Sequence, residues 1–333
     1  MRMELLTLCD AKGKLNMQTV GYSPIPKIDA NVKRRLFRRK NWNHWIVYGE
    51  EAVLTFLIAD FSHTVVGIVT FFDLETDRFL MEKVDLTFNR QMTLGTHPSH
   101  SSHFIHDGLT IECVREEAVT HLLARVSSFD GESFQTNLKI EHPTQDESLN
   151  VVIPTTVDEY QMTSKQFTLP TSGTVTLGNR EYHFHPEYSF SVANMMRGIW
   201  GRKVEWCWGV ASQRVGDERI GLNLSNGWTD GKGYTDNGVV IDGKLHIINE
   251  ELQFLFNPQN MSEKWGIKTK YSSRVQLTFT PFFEEQDILR MKLSKLKVQR
   301  VKGYFDGIIE LNTGAPLRIR QLLGTIEYAA GKW

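Results

Sequence analysis

The sequence predicts an all-β protein: two lipocalin-like antiparallel β-barrels, or sandwiches, packed together, with a short C-terminal helix. Three observations carry this. Apolar and polar residues alternate with period two along most of the chain, which turns one face of each segment inward. Asp-Gly and Gly-Asn pairs recur between the alternating segments and supply the positive φ that tight hairpins need. Aromatic residues make up 11% of the 333 residues, and they suit a pleated, half-buried surface. Barrels are preferred over sandwiches because closure removes exposed edges and can enclose a small-molecule cavity.

In chain order, Trp45–Tyr48, Ala52–Ala59 and Val65–Phe72 form three successive strands, and Asp73–Asp77 turns the chain into a fourth, Arg78–Phe88. Leu109–Cys113 and Leu122–Ser128 continue the alternation, Asp130-Gly131 makes a hairpin turn, and Phe134–Ile140 returns. From Glu141 to Gln166 the texture turns polar around His142–Ser148 and Pro154–Thr156. This stretch is expected to divide an N-terminal domain, 1–155, from a C-terminal domain, 156–333, that carries the candidate pocket. Gly173–Phe184 is a hairpin around Gly178-Asn179, and Val204–Gln213 pairs with Arg219–Ser225 through Val215–Glu218. Val239–Ile248 is a two-residue hairpin with Asp242-Gly243 at its tip. Gln253–Asn257, Arg274–Phe283, Lys295–Val301, Tyr304–Leu311 and Pro316–Arg320 complete the strands. Helical patterning is confined to Val192–Met196 and Gln321–Ala330. No short fixed repeat runs through the chain, which argues against solenoids and propellers.

Composition narrows the class. With 23% charged residues and a formal charge of -1, no global field recruits nucleic acid or anionic lipid. The apolar run at Ala52–Ala59 is strand-sized and too short to span a bilayer. The N-terminus, interrupted by Glu4 and Asp10, lacks the apolar core of a secretion signal. Cys9, Cys113 and Cys207 are widely spaced and odd in number, which favours unpaired thiols in a reducing, cytoplasmic setting.

An ordered set of motifs gives a resemblance. Gly13–Asn16, Gly21–Ser23 and Lys40–Trp45 are followed by Met196–Trp200, Glu205–Ser212, Gly221–Leu224 and Trp228–Gly231. Thr235–Gly238, Ile241–His246 and Leu277–Glu284 complete it. Together they resemble the bacterial domain-of-unknown-function family numbered 2804, over nearly the whole chain. That family is similar, more distantly, to lipocalin-like two-barrel proteins that include carotenoid hydratases and some cyclases acting on greasy substrates. The resemblance implies a fold and assigns no catalytic residue. It leads to an aspartate where this chain has Asn194, which removes an acid if that position is chemical.

The densest constellation runs from Asn194 to Gln213. In a strand, Trp206 and Trp208 face one way, and Glu205, Cys207, Gly209 and Ala211 the other. A ligand pocket needs apolar walls and a few fixed polar groups. Trp206, Trp208 and Trp228 are the candidate walls; Asn194, Arg197 and Asn223 are the candidate anchors. The competing reading has the tryptophans filling space between barrels or sheets. Arg197, if buried near aromatic residues, demands a partner such as Glu205 or an anionic ligand. The ligand reading requires a hollow C-terminal barrel.

The Gly- and Asp-rich loop Trp228–Gly238 contributes Asp230 and Asp236, which join Glu205 as candidate general acids if desolvation raises their pKa. Plain turn chemistry is the alternative, and calcium is disfavoured by a spacing unlike that of an EF-hand. His183 and His185, on one side of a strand with Glu181, are the metal candidates, without a third ligand in view. His97, His100, His103 and His106 recur at every third residue in a stretch whose Pro98 argues for a loop. The basic run Lys33–Lys40 could meet phosphates beside Trp42 and Trp45, but a solvated entry into the first strand accounts for it. Cys207 lacks a suitable histidine and reads as a buried, inert thiol. No nucleotide or hydrolase motif sits in a fitting context, so no cofactor is expected.

Two function classes follow. In one, a β-barrel binds, and in its enzymatic form transforms, a small and largely apolar ligand. A buried carboxylic acid would protonate a double bond while the indoles stabilise positive charge. In the other, the chain is a non-catalytic interaction protein or binds carbohydrate. A small-molecule ligand is the expected partner; nucleic acid and a membrane span are not.

Overall fold

The computed structural model describes residues 5–32, 38–87, 91–285 and 296–332. The chain forms two compact units, Met1–Trp200 and Gly201–Trp333. Each is built on a curled antiparallel sheet, a half-barrel around its own apolar core.

The first unit carries a 14-stranded sheet. Its path runs Phe79–Thr87, Thr64–Asp73, Ala52–Asp60, Arg39–Tyr48, Phe190–Ile199 and Tyr160–Leu177. It continues through Glu132–Glu141, Val119–Phe129, Leu109–Glu116, Ser102–His106 and Met92–Thr93. Ala52–Asp60 and Thr64–Asp73 are buried almost end to end on both faces, so they read as continuous apolar runs. Val69 and Phe71 near one edge share a core with Phe104, Ile111 and Leu122 near the other. The sheet therefore curls onto itself. Tyr160–Leu177 bends at a register shift between Gln166 and Leu169, where Thr168 has a φ of 51°. The bend lets one strand pair with Leu149–Pro154 in its first part and with Glu132–Glu141 in its second. The expected division at 155 and 156 falls between two paired strands of this unit, Leu149–Pro154 and Tyr160–Leu177.

The second unit carries nine strands in the order Lys244–Ile247, Gly238–Ile241, Glu218–Asn226, Lys203–Val215 and Pro316–Lys332, then Lys297–Glu310, Val275–Glu285, Trp265–Thr269 and Leu252–Leu255. Asp242 and Gly243, with φ of 47° and 81°, form the hairpin tip their sequence predicts. The interior is filled by aromatic packing: Phe305 lies over Gly209 and Gly324, with Phe279 and Trp265 in the same cluster. A Cβ on Gly324 would come within 2.5 Å of the Phe305 ring, which explains the small residues on that face.

Both segments with helical patterning are strands. Val192–Met196 lies within Phe190–Ile199, and the expected C-terminal helix, Gln321–Ala330, is the body of Pro316–Lys332. Leu322, Leu323, Thr325, Ile326, Glu327 and Ala329 are all buried. A strand covered on both faces loses its alternation and imitates a helix. Among the described residues, no helix is long and apolar enough to cross a membrane.

Candidate functional site

On the first sheet, register places Lys165, Asn194 and His44 directly opposite one another across three adjacent strands. Directly opposed residues share a face, so a lysine, an amide and a histidine stand in one row. All three are buried, with 1%, 7% and 4% exposure. Thr163 and Gln161 continue the same face along Tyr160–Leu177 by alternation, and Met196 and Trp42 occupy the next row. Among the described residues, Asn194 Oδ1, Thr163 Oγ1 and Gln161 Oε1 have no hydrogen-bond partner. Buried polar atoms are almost always satisfied, so this concentration needs an explanation.

Arg197 lies on the opposite face, and each of its two Nη groups makes two hydrogen bonds. Its Nη1 donates to the carbonyls of Trp42 (2.8 Å) and Met196 (2.7 Å), and its Nη2 to Asn43 Oδ1 (2.8 Å) and the Gly95 carbonyl (2.6 Å). Backbone carbonyls thus supply the partners that its burial demands. Inside this unit, a cavity of about 20 Å³ is lined by Trp45, Cys113, Arg115, Thr120, Gln166 and Asn194, among others; that is room for about one water. His142 sits beside it, bonded to Gln166 Oε1 and Thr120 Oγ1, each at 2.9 Å. The amide oxygen only accepts, so Nδ1 carries the proton and Nε2 accepts from the hydroxyl. Burial, reinforced by the Arg115 charge, pushes the His142 pKa down to about 3. The ring is neutral.

In the second unit, Trp206 and Trp208 share a face, as the alternation predicts, and it is the face away from the Phe305 core. Both indoles are bonded. Trp206 Nε1 donates to Glu327 Oε1 at 2.9 Å, and Arg300 holds the other carboxylate oxygen through Nε at 2.8 Å and Nη2 at 2.7 Å. Trp208 Nε1 donates to Asn223 Oδ1 at 2.8 Å, and Asn223 Nδ2 donates to the Asp236 carbonyl. Ser225 donates to the Asp236 carboxylate and accepts from Trp228 Nε1 at 3.2 Å. Trp206, Trp208, Trp228, Asn223 and Asp236 therefore belong to closed polar networks. Lys302 and Glu285 form a further buried ion pair on Lys297–Glu310 and Val275–Glu285.

The other candidates separate. Glu205 is exposed near the start of the interior strand Lys203–Val215 and accepts from the Tyr328 hydroxyl at 3.1 Å. Asp230 lies half-buried in the Gly-rich loop with Oδ1 unpartnered among the described residues, and desolvation raises its pKa. His183 and Glu181 are exposed and 3.3 Å apart, His185 is exposed, and no group of three metal-ligating side chains occurs among the described residues. Cys9, Cys113 and Cys207 are free and buried; burial raises all three pKa values. Residues 33–37 of the basic run lie outside the described residues. Arg39 pairs with Asp60 at 2.7 Å, and buried Lys40 sits 5.5 Å from the Phe61 ring centroid.

Sequence reasoning did not single out Lys165, His44, Glu327, Arg300 or Lys302. His44 stands in the motif Lys40–Trp45, which was a usable signal. Arg300 lies in the predicted strand Lys295–Val301, Glu327 in the segment with helical patterning and Lys165 in the stretch read as a passage between domains. The burial of all of them and of Lys302 follows from pairing between distant segments.

The family model described as Domain of unknown function (DUF2804) matches residues 2–333. Among solved structures, a protein assigned as AttH from Nitrosomonas europaea has a TM-score of 0.50 at 11% identity, covering 89% of this chain and 93% of its own. Kievitone hydratase from Nectria haematococca has a TM-score of 0.48 at 10% identity, covering 88% of each chain. At such identities the first likeness speaks for the fold alone. No curated protein matches the chain by sequence.

Proposed function

This chain belongs to the DUF2804 family, and from that premise we propose that it binds a small, largely apolar molecule bearing a hydroxyl or N–H group, seated on the first sheet at the row Lys165, Asn194 and His44. The observation that carries the reading is the unpartnered Asn194 Oδ1 in a residue only 7% exposed. An amide oxygen in that position stabilises a ligand that brings a donor, because the desolvation cost is already present in the free protein. Trp42, Met196 and Leu57 occupy the same face and suit an apolar body. Glu205, Asp230 and Asp236 belong to the second unit, so the reading concerns binding and assigns no proton donor.

Native mass spectrometry of protein freshly purified from its own host tests this. Expected is a retained mass that is lost in Asn194→Leu. A clean polypeptide mass from the wild type, or an adduct retained equally by the variant, sinks the reading.

A further inference from the structure

In the second unit, the loops after Glu218–Asn226, after Lys244–Ile247 and after Trp265–Thr269 border an open pocket of about 160 Å³. Its lining includes Thr229, Tyr234, Asn249, Glu250, Glu251 and Tyr271. From this geometry we propose that the pocket is a second binding site, independent of the row on the first sheet, for a neutral saccharide.

Most of the polar lining is fixed by internal bonds. Glu250 accepts from the Tyr271 N–H and the Ser272 hydroxyl, each at 2.7 Å. Glu251 accepts from the Gly231 N–H at 2.7 Å and pairs with Lys270 at 2.7 Å. Thr235 donates to the Ile248 carbonyl at 2.8 Å. Thr229 differs. It is 2% exposed, it lines the pocket, and its hydroxyl has no partner among the described residues. A buried hydroxyl left unmated on a pocket-lining residue can be satisfied by a ligand group that both donates and accepts.

The chemistry of that ligand follows from its surroundings. Each carboxylate has about four acceptor positions and uses two of them internally, so capacity remains for ligand hydroxyls. Tyr271 is 74% exposed and offers a flat apolar face with a polar tip, which suits the C–H face of a sugar ring. Lys270 neutralises Glu251 and already stands 5.1 Å from the Tyr271 ring centroid, which weighs against a second cation on that ring. Glu250, which accepts only from neutral donors, is why a cationic control belongs in the test. A polyhydroxylated neutral ring meets every requirement.

Saturation-transfer NMR on the full chain tests the proposal, with glucose, galactose, mannose, N-acetylglucosamine, maltose and cellobiose as probes and tetramethylammonium as the cationic control. At least one sugar should bind. Thr229→Val, which keeps shape and removes only the hydroxyl, should weaken it about tenfold, the worth of one lost buried hydrogen bond. Tyr271→Ala, at an exposed position that folding does not need, should weaken it at least as much. Thr229→Val should also melt no lower than the wild type, since it deletes an unsatisfied group. Binding of tetramethylammonium alone, of none of the probes, or of a sugar equally by wild type and both variants overturns the proposal.

Discussion

The two sheets treat their second faces differently. In the second unit, the face that carries Trp206 and Trp208 is a mesh of internal bonds, from the indole N–H groups through Glu327 to Arg300 and through Asn223 to Asp236. In the first unit, the corresponding face carries Asn194, Thr163 and Gln161 with oxygens that bond to nothing among the described residues. Both faces are buried and both mix aromatic with polar residues. They differ in degree of satisfaction: Asn194, Thr163 and Gln161 go unmet on the first face, whereas on the second the unmet oxygen among the described residues is Glu285 Oε2, on a carboxylate that is still paired with Lys302. Bonded groups hold a scaffold together, whereas an unmet acceptor marks a place where something else is accommodated.

The largest test of that contrast is Glu327→Ala. It strands the Arg300 guanidinium, 5% exposed, and removes the acceptor of Trp206. Breaking a buried pair from one side costs about 3–5 kcal/mol, so the urea midpoint should fall steeply. Pairing it with Arg300→Met should recover much of the loss, since no buried charge is then left alone. A single-variant loss below about 1 kcal/mol would mean that the mesh is not structural, and the comparison would fail.

Much of the fold was legible in the chain, and the reason is local. Asp242-Gly243 and Asp130-Gly131 take the positive φ values their identity favours, and the alternation at Trp206 and Trp208 placed both indoles on one face. Legibility ended where a strand is covered twice. Pro316–Lys332 is buried on both sides from Leu322 to Glu327, and that run carries no period that distinguishes strand from helix. The site was harder still. Tryptophan and arginine draw attention by type, yet Trp208 is held by Asn223 and Arg197 by Asn43 and carbonyls of neighbouring segments. The row that matters joins residues 44, 165 and 194, and nothing short of strand order brings them together.

A smaller effect separates the units by the charge they bury. The second unit's mesh holds paired ions, while the first unit buries a neutral imidazole at His142 besides the basic side chains of Lys40, Lys165 and Arg197. With its folded pKa near 3 against an ordinary 6.5, the unfolded chain binds the extra proton between those values. Stability is therefore complete above about pH 6.5 and declines as the pH falls toward 3, by about 2 kcal/mol at pH 5. Urea titrations at pH 7.5 and pH 5 should show His142→Asn with a shallower acid decline than the wild type. Parallel declines would show that the imidazole is protonated in the folded protein.

The smallest expected change in stability is also the most telling. Asn194→Leu replaces a buried amide whose oxygen lacks a partner with an apolar group of similar size. If the acceptor is idle in the free protein, the variant should be as stable as the wild type or gain about 1 kcal/mol, because an unmet desolvation penalty disappears. Scaffold residues behave in the opposite way: their removal leaves a stranded partner and costs stability. Equal or higher stability together with loss of the retained ligand would place Asn194 on the functional side of the comparison. A loss of 2 kcal/mol or more, on the scale of a stranded buried partner, would show that the amide is bonded internally, and the first sheet's face would then be scaffold like that of the second.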